Sequence, residues 1–270
     1  MTKIALLSGD QPRHFALADS LRSESLLTCH LVERKRSKFP QGNLGITETE
    51  ILRNHFDRLC EVEKEFFPGF ESIRGPTNIF SFGDISSVSV IESLRDLDVD
   101  LVLVFGTSIL RPSVINAFGS KLVNLHLGLS PYYRGVATNF WPLYDRKPEF
   151  VGATFHRLSN IIDGGEILLQ IRPQIELLDD CYTLGMRVIL AIKLNIGSII
   201  DSLLELGTNE LPQQNLSRGK EFSRNDFNAE AIKVVYENFE TGMIPEYLEE
   251  IYKRKEEVVL VNEFVGDWDA

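Results

Sequence analysis

Val99-Asp100-Leu101-Val102-Leu103-Val104-Phe105-Gly106-Thr107 is the most hydrophobic strand-like stretch of the chain. A short apolar run closed by a glycine reads as a strand buried on both faces, the kind that builds parallel sheets. Outward from it, residues 112–118 read as a short helix and 122–127 as the next strand. Upstream, 3–9 and 26–33 read as strands, with Pro12 opening a helix to about residue 22 between them. Thr47 starts a longer helix to about residue 67, with Glu50 as its capping-box partner, and Pro68-Gly69 stops it. A short strand over 78–82 and a helix over 85–97 complete that half. Downstream follow a helix around 137–144 and strands over 150–158 and 166–175. One long helix then runs from Asp179 or Asp180 to about residue 206, with the apolar stripe Leu184, Val188, Ile192, Ile196, Ile199 and Leu203.

Strands alternating with helices imply an α/β fold with a Rossmann-like, doubly wound, mostly parallel sheet. Ligands of such sheets bind outside the carboxyl ends of the strands, near the switch in strand order. The reading assigns residues 1–206 to one catalytic domain and 207–270 to a short C-terminal α/β extension. The extension holds seven Lys/Arg against fourteen Asp/Glu, a net of −7, with a strand-like run over 258–261 and one or two helices.

The 270 residues carry a net charge of −11, which repels polyanions and argues against a nucleic-acid partner. Arg34, Lys35, Arg36 and Lys38 form the only dense basic cluster, in a polar loop over 35–45 with Pro40 and two glycines. It is either a solvated loop or a contact to a substrate phosphate. Cys29, Cys60 and Cys181 show no short pair spacing, so neither a disulfide framework nor a metal site is expected. The N-terminal apolar run is too short for a signal peptide, and no run approaches the roughly 18 residues of a membrane span. A cytoplasmic protein without a membrane partner is the expectation.

Chemistry-bearing residues gather in the middle of the chain. Asn124 and His126 lie two apart on one strand and so share a face. Asp163 sits in a Gly-containing loop between two strands, where a carboxylate can take a proton from an attacking amine or orient an imidazole. An Asp-Gly turn between strands is also common without any function. Tyr133, Arg134 and Gly135 belong to a loop stiffened by Pro131; Arg134 fixes either a substrate or the loop itself, and Tyr133 can simply pack. His156, at the far end of its strand, reads either as a structural histidine or as a second imidazole near the site. Phe105, Gly106, Thr107, Ile109 and Leu110 form a strand-to-helix turn whose backbone can bond a flat heterocycle. Ser8, Gly9 and Asp10 end the first strand, where a helix N-terminus suits a phosphate. Arg13 and His14 beside them read either as solvent-exposed or as an anion contact. Neither a dinucleotide fingerprint nor a P-loop is present there.

The order Asn124-x-His126, Pro131-x-Tyr133-Arg134-Gly135, Gly152-x-Thr154-x-His156 and Asp163-Gly164-Gly165 resembles the folate-dependent formyltransferases. The resemblance is strongest over residues 99–170. It implies that Asn124, His126 and Asp163 are the catalytic trio and that 10-formyltetrahydrofolate is the formyl donor. It places the pterin ring against Phe105, Gly106, Thr107, Ile109, Leu110, Ile161 and Ile162. Asn124 and a protonated His126 would stabilise the oxyanion, and Asp163 would help deprotonate the amine. Ser8, Gly9, Asp10, Tyr133, Arg134 and Gly135 are the corresponding substrate-binding candidates.

The chain departs from common members by reading Leu127-Gly128-Leu129-Ser130-Pro131 after the histidine and by lacking a Gly/Ser-rich loop at Ser8-Gly9-Asp10. The second departure argues against a glycinamide-ribonucleotide acceptor, and the short acidic tail argues against the tRNA-modifying members. The resemblance therefore points to a sugar N-formyltransferase acting on a nucleotide-linked amino-deoxy sugar, with the tail serving a homodimer. The alternatives are a methionyl-tRNA-type formyltransferase, a formyltetrahydrofolate hydrolase and a non-enzymatic folate binder. The hydrolases usually carry an N-terminal regulatory domain, for which a first strand at Lys3 leaves no room.

Overall fold

The computed structural model describes residues 2–35, 45–73 and 75–266. In chain order the elements are β1 (Ile4–Ser8), α1 (Pro12–Ser23), β2 (Leu27–Glu33), α2 (Ile46–Phe66), β3 (Asn78–Phe80), α3 (Val88–Asp96), β4 (Leu101–Phe105), α4 (Pro112–Phe118) and β5 (Leu122–His126). They continue with β6 (Tyr133–Gly135), α5 (Trp141–Tyr144), β7 (Ala153–Arg157), β8 (Ile167–Ile171), α6 (Thr183–Leu194) and α7 (Ile196–Leu206). The C-terminal part holds β9 (Lys220–Phe222), α8 (Ala229–Glu240), α9 (Met243–Glu249) and α10 (Ile251–Glu256).

Seven strands form one sheet in the order β3-β2-β1-β4-β5-β7-β8. The first five are parallel; β7 runs antiparallel to β5 and to β8. Alternate residues of the central strands enter different cores, as doubly wound sheets require. Ile4, Leu6, Leu101 and Leu103 join the larger layer with α1, α2, α6 and α8. Ala5, Leu7, Val102 and Val104 join the smaller one with α3 and α4. Strand order reverses between β1 and β4, so their carboxyl ends form the switch point. Gly9 N–H donates to Phe105 O there at 3.1 Å.

Several expectations are corrected. The α2 cap lies two residues before Thr47: Gly45 is the N-cap, and Glu48, not Glu50, accepts its N–H at 3.0 Å. The single long helix over 180–206 is two helices bent by 77° at Asn195, although its apolar stripe is continuous. The helix expected around 137–144 is the single turn Trp141–Tyr144. The run 258–261 is not a strand; the tail touches the sheet instead through a bridge between Gln170 and Glu263.

The residues after 206 do not form a separate appendage. Phe227, Ile232, Val235, Met243, Ile244 and Tyr247 belong to the same buried core as α1, α6 and the sheet. Tyr236 of α8 also joins His55 of α2 (3.0 Å) and Tyr182 (2.5 Å) in hydrogen bonds. Arg36 and Lys38 of the basic cluster lie outside the described residues. Among those residues no single helix is long and apolar enough to cross a membrane.

Candidate active site

Asn124 and His126 leave the same face of β5, and strand register fixes their neighbours. Asn124 pairs with His156 and His126 with Thr154 on β7, and Thr154 pairs with Gln170 on β8. A polar stripe thus crosses three strands, while Leu125, Phe155 and Leu169 fill the opposite, larger core. Toward the sheet centre the same face carries Val102 and Val104, covered by the smaller apolar layer. The buried residues of that layer include none from β7 or β8, so the stripe begins where the apolar cover ends.

Burying polar side chains is unfavourable unless each is hydrogen-bonded. Thr154 donates to Gly128 O at 2.7 Å and accepts from Ser130 N at 3.0 Å. Gln170 donates to Ser130 O at 2.7 Å and accepts from Val261 N at 2.9 Å. The stripe therefore anchors the loop after β5 as well as filling its own requirements.

The Asp163 loop comes from the other direction. It leaves β7 beside the start of β5, where Leu158 N–H donates to Leu122 O at 3.1 Å. It then folds back over the polar face until Asp163 reaches His126 at the strand's carboxyl end. Gly165 permits the return, since a Cβ there would lie 1.8 Å from Arg157 O. Asp163 has φ +47°, the left-handed region that Asp tolerates better than most residues.

Asp163 Oδ2 stands 3.3 Å from His126 Nδ1 and accepts the Gly135 N–H at 2.8 Å. Its Oδ1 stands 3.5 Å from His156 Nε2. His156 Nδ1–H donates to Arg157 O at 2.9 Å, and its Nε2 faces both the Asn124 side-chain nitrogen, at 3.1 Å, and Asp163 Oδ1. His126 Nε2 donates to Tyr133 O at 3.0 Å. Both nitrogens of His126 face acceptors, a pattern that only the doubly protonated ring satisfies in full.

Burial pushes the Asp163 carboxyl up, but His126, His156 and the Gly135 N–H together outweigh it and hold the group well below the usual carboxylate range. Burial pushes the His126 imidazole below its ordinary range, with Asp163 pulling the other way. An ionised carboxylate thus backs an imidazole that can gain and return a proton, beside an amide that can donate to a developing negative charge.

The other sequence candidates divide. Thr107, Ile109, Ile161 and Ile162 are accessible, and Ile109 is 82% exposed. Phe105 and Leu110 are buried: the Phe105 ring packs edge-on to His14 at 4.5 Å, and Leu110 joins the smaller core. Gly106 has φ +70° and holds the turn after β4. Glu33, a residue the sequence reading passed over, fixes that turn by accepting Ser108 N–H at 2.5 Å and Ser108 Oγ–H at 2.9 Å.

Ser8 is not available to a substrate. It is fully buried, with its Oγ 2.9 Å from both Gly9 O and His30 Nε2. Gly9 packs against His14 and Gly106, and Asp10 is half-buried. His14 is buried rather than exposed, and Arg13 pairs with Glu63 at 2.8 Å. The Tyr133 ring lies in the core, stacked on Phe222, with its hydroxyl donating to Asp145 at 2.9 Å. Arg134 is buried, and its NH1 pins two loops by donating to Ile162 O and Glu221, each at 3.3 Å. Gly135 serves the Asp163 carboxylate. A separate cleft of about 810 Å³ opens at the opposite end of the sheet, lined by Asp100, Lys121, Arg157 and Glu166, away from this chemistry.

Fold and site together define a Rossmann-like α/β protein with an amide, two imidazoles and a carboxylate gathered on one polar face. Residues 77–191 match the family described as formyl transferase. The chain is 36% identical over 173 residues to the phosphoribosylglycinamide formyltransferase of Haemophilus influenzae, covering 62% of this chain and 63% of that one. It is 30% identical over 134 residues to the GDP-perosamine N-formyltransferase of Brucella melitensis, covering 49% and 51%. Against the methionyl-tRNA formyltransferase of Bacteroides fragilis the identity is 29% over 172 residues, covering 57% and 50%. The chain spans about half the length of most of the curated relatives it matches. The solved structure of WlaRD, a sugar 3N-formyl transferase in the presence of dTDP and 5-N-formyl-THF, has a TM-score of 0.52 at 17% identity, covering 84% of this chain and 72% of that one. At that identity the likeness establishes the fold.

Proposed function

We propose that this chain transfers a formyl group from 10-formyltetrahydrofolate to the amine of a nucleotide-linked amino-deoxy sugar. The observation that carries the reading is the convergence of Asn124, His126, His156 and Asp163 at the carboxyl end of β5. The accessible Ile109, Ile161 and Ile162, on the two loops that flank the family's pterin position, suit a flat and partly apolar heterocycle. The donor supplies an electrophilic formyl carbon when bound.

Asp163, ionised and held by Gly135, accepts a proton from the acceptor amine directly or through water. Asn124 presents amide hydrogens to negative charge growing on a carbonyl oxygen. His126 shares that proton traffic with Asp163, and His156 orients the Asn124 amide. The net charge of −11 favours a small acceptor over tRNA. The similarity to a GDP-perosamine N-formyltransferase supports the same choice.

The test is tetrahydrofolate release from 10-formyltetrahydrofolate with and without a panel of nucleotide-linked amino sugars. Release dependent on one sugar is expected. Release without any acceptor would replace this reading by a hydrolase, and release only with methionyl-tRNA would replace it by the tRNA-type enzyme.

A further inference from the structure

The segment after α7 touches the candidate catalytic pair from two sides. Gln214 uses its amide hydrogens on Asp163 O, at 3.0 Å, and on Gly165 O. Those two carbonyls bracket the turn that carries the Asp163 side chain. Asp163 holds a left-handed φ of +47°, a conformation that persists only where surrounding bonds over-determine it. Besides Gln214, Ser130 Oγ–H reaches the same Asp163 carbonyl, at 3.3 Å.

On the other side, β9 pairs in parallel with β6, the strand that contacts both members of the pair. Tyr133 O accepts His126 Nε2–H, and Gly135 N–H binds Asp163 Oδ2. Flanking bonds lock the pairing: Lys220 N–H to Tyr132 O and Val136 N–H to Phe222 O, each 2.9 Å. Glu221 of β9 also holds Arg134, which reaches Ile162 O beside Asp163. None of this segment faced the chemistry in the sequence reading, which treated it as an appendage.

We propose that residues 214–222 act as a positioning strap, with Gln214 as the positioning residue that sets the Asp163 backbone while β9 sets β6. The proposal rests on Asp163 and His126 being the working pair of the function proposed above. It assigns Gln214 no contact with substrate; its effect passes through the 163–165 turn.

The full chain labelled with ¹⁵N-histidine, which has five histidines, gives a readout that needs no substrate. Gln214→Met keeps the length of the side chain and removes its amide. Gln214→Glu keeps the shape but replaces the donor hydrogens by a negatively charged oxygen, so it opposes the two carbonyls instead of binding them. Gln213→Met is the control, because the Gln213 amide donates at 3.0 Å to Glu166 and not to the 163–165 turn. The expected result is that the ring signals of His126 and His156 move in both Gln214 variants and not in the control, with thermal midpoints within a few degrees of wild type. In the formyl-transfer assay kcat should fall by about 10- to 100-fold with donor KM little changed, the scale for a displaced catalytic group. Unmoved ring signals, equal movement in the Gln213 control, or failure of both Gln214 variants to fold would each overturn the strap. Absence of transfer by the wild-type protein would instead overturn the function, and the ring signals would still decide the strap.

Discussion

Gly135 of β6 and Asp163 are joined, backbone N–H to Oδ2 at 2.8 Å, and that same oxygen faces His126 Nδ1 at 3.3 Å. Gly135 has φ +93°, and a Cβ there would stand 2.2 Å from Phe222 O. A side chain at 135 must therefore push β9 off β6 and pull the N–H away from the carboxylate. Gly135→Ala should lose about 1–3 kcal/mol of stability from strain at this φ. Transfer should slow by at least about 10-fold through the displaced carboxylate. Urea unfolding and tetrahydrofolate release measure the two effects. A variant with wild-type midpoint and rate would show that the β6–β9 pairing does not hold Asp163.

His126→Ala removes the imidazole that both Asp163 and Tyr133 O engage. Turnover should drop by at least about 100-fold, the range for losing a positioned acid or oxyanion donor. Donor binding, followed by folate fluorescence titration, should change little because His126 is buried behind the strand end. Near-native turnover would remove His126 from the chemistry.

The sheet and half of the site were legible in the sequence for specific reasons. The run from Leu101 to Phe105 has no polar alternation, which only a strand covered on both faces tolerates, and the structure covers both. Asn124 and His126 share a face because strand side chains repeat every two residues. His156 was legible only as a structural histidine or a second imidazole near the site, without its partner. Its place opposite Asn124 depends on the register between β5 and β7, which no local pattern encodes. The contributions of Gln214 and β9 were hidden similarly, since a three-residue strand pairing 87 positions away from Tyr133 leaves no periodicity to read. The break at Asn195 escaped because the apolar stripe continues through it, the buried side shifting with the bend. The dense chemistry around Ser8 misled for the opposite reason: its polar groups are spent on one another inside the fold.

Asp163 carries a pH signature. Its folded pKa is depressed relative to the unfolded value of about 3.9. Its contribution to stability is therefore complete above that unfolded value and is lost as pH falls through the folded one. Asp163→Asn should be less stable than wild type at neutral pH, and the gap should narrow progressively below about pH 4. Urea midpoints of both proteins across pH 7 to 3 check this. A gap that stays constant over the acid range would mean that the carboxylate gains nothing from its two imidazoles.

His30 gives the fold a second and earlier acid sensitivity. Arg22 donates to its Nδ1 at 3.3 Å, so the neutral ring carries its hydrogen on Nε2 and gives it to Ser8 Oγ at 2.9 Å. Ser8 in turn donates to Gly9 O at 2.9 Å. A second proton on His30 would meet the Arg22 guanidinium inside a buried pocket. Burial first, and Arg22 second, hold the folded pKa at about 4 against an ordinary 6.5. Between those values the unfolded chain binds more protons than the folded one, so stability is intact above pH 6.5 and falls as pH drops toward 4. One such histidine is worth on the order of 3 kcal/mol across the full window. His55, also held at about 4 by burial, adds to the same slope. His30→Gln should therefore be less stable than wild type at pH 7.5, yet lose stability more slowly on acidification to pH 4. Denaturation midpoints at half-unit pH steps test this, and a variant whose acid slope equals that of wild type would mean that His30 takes up its proton as readily in the fold as outside it.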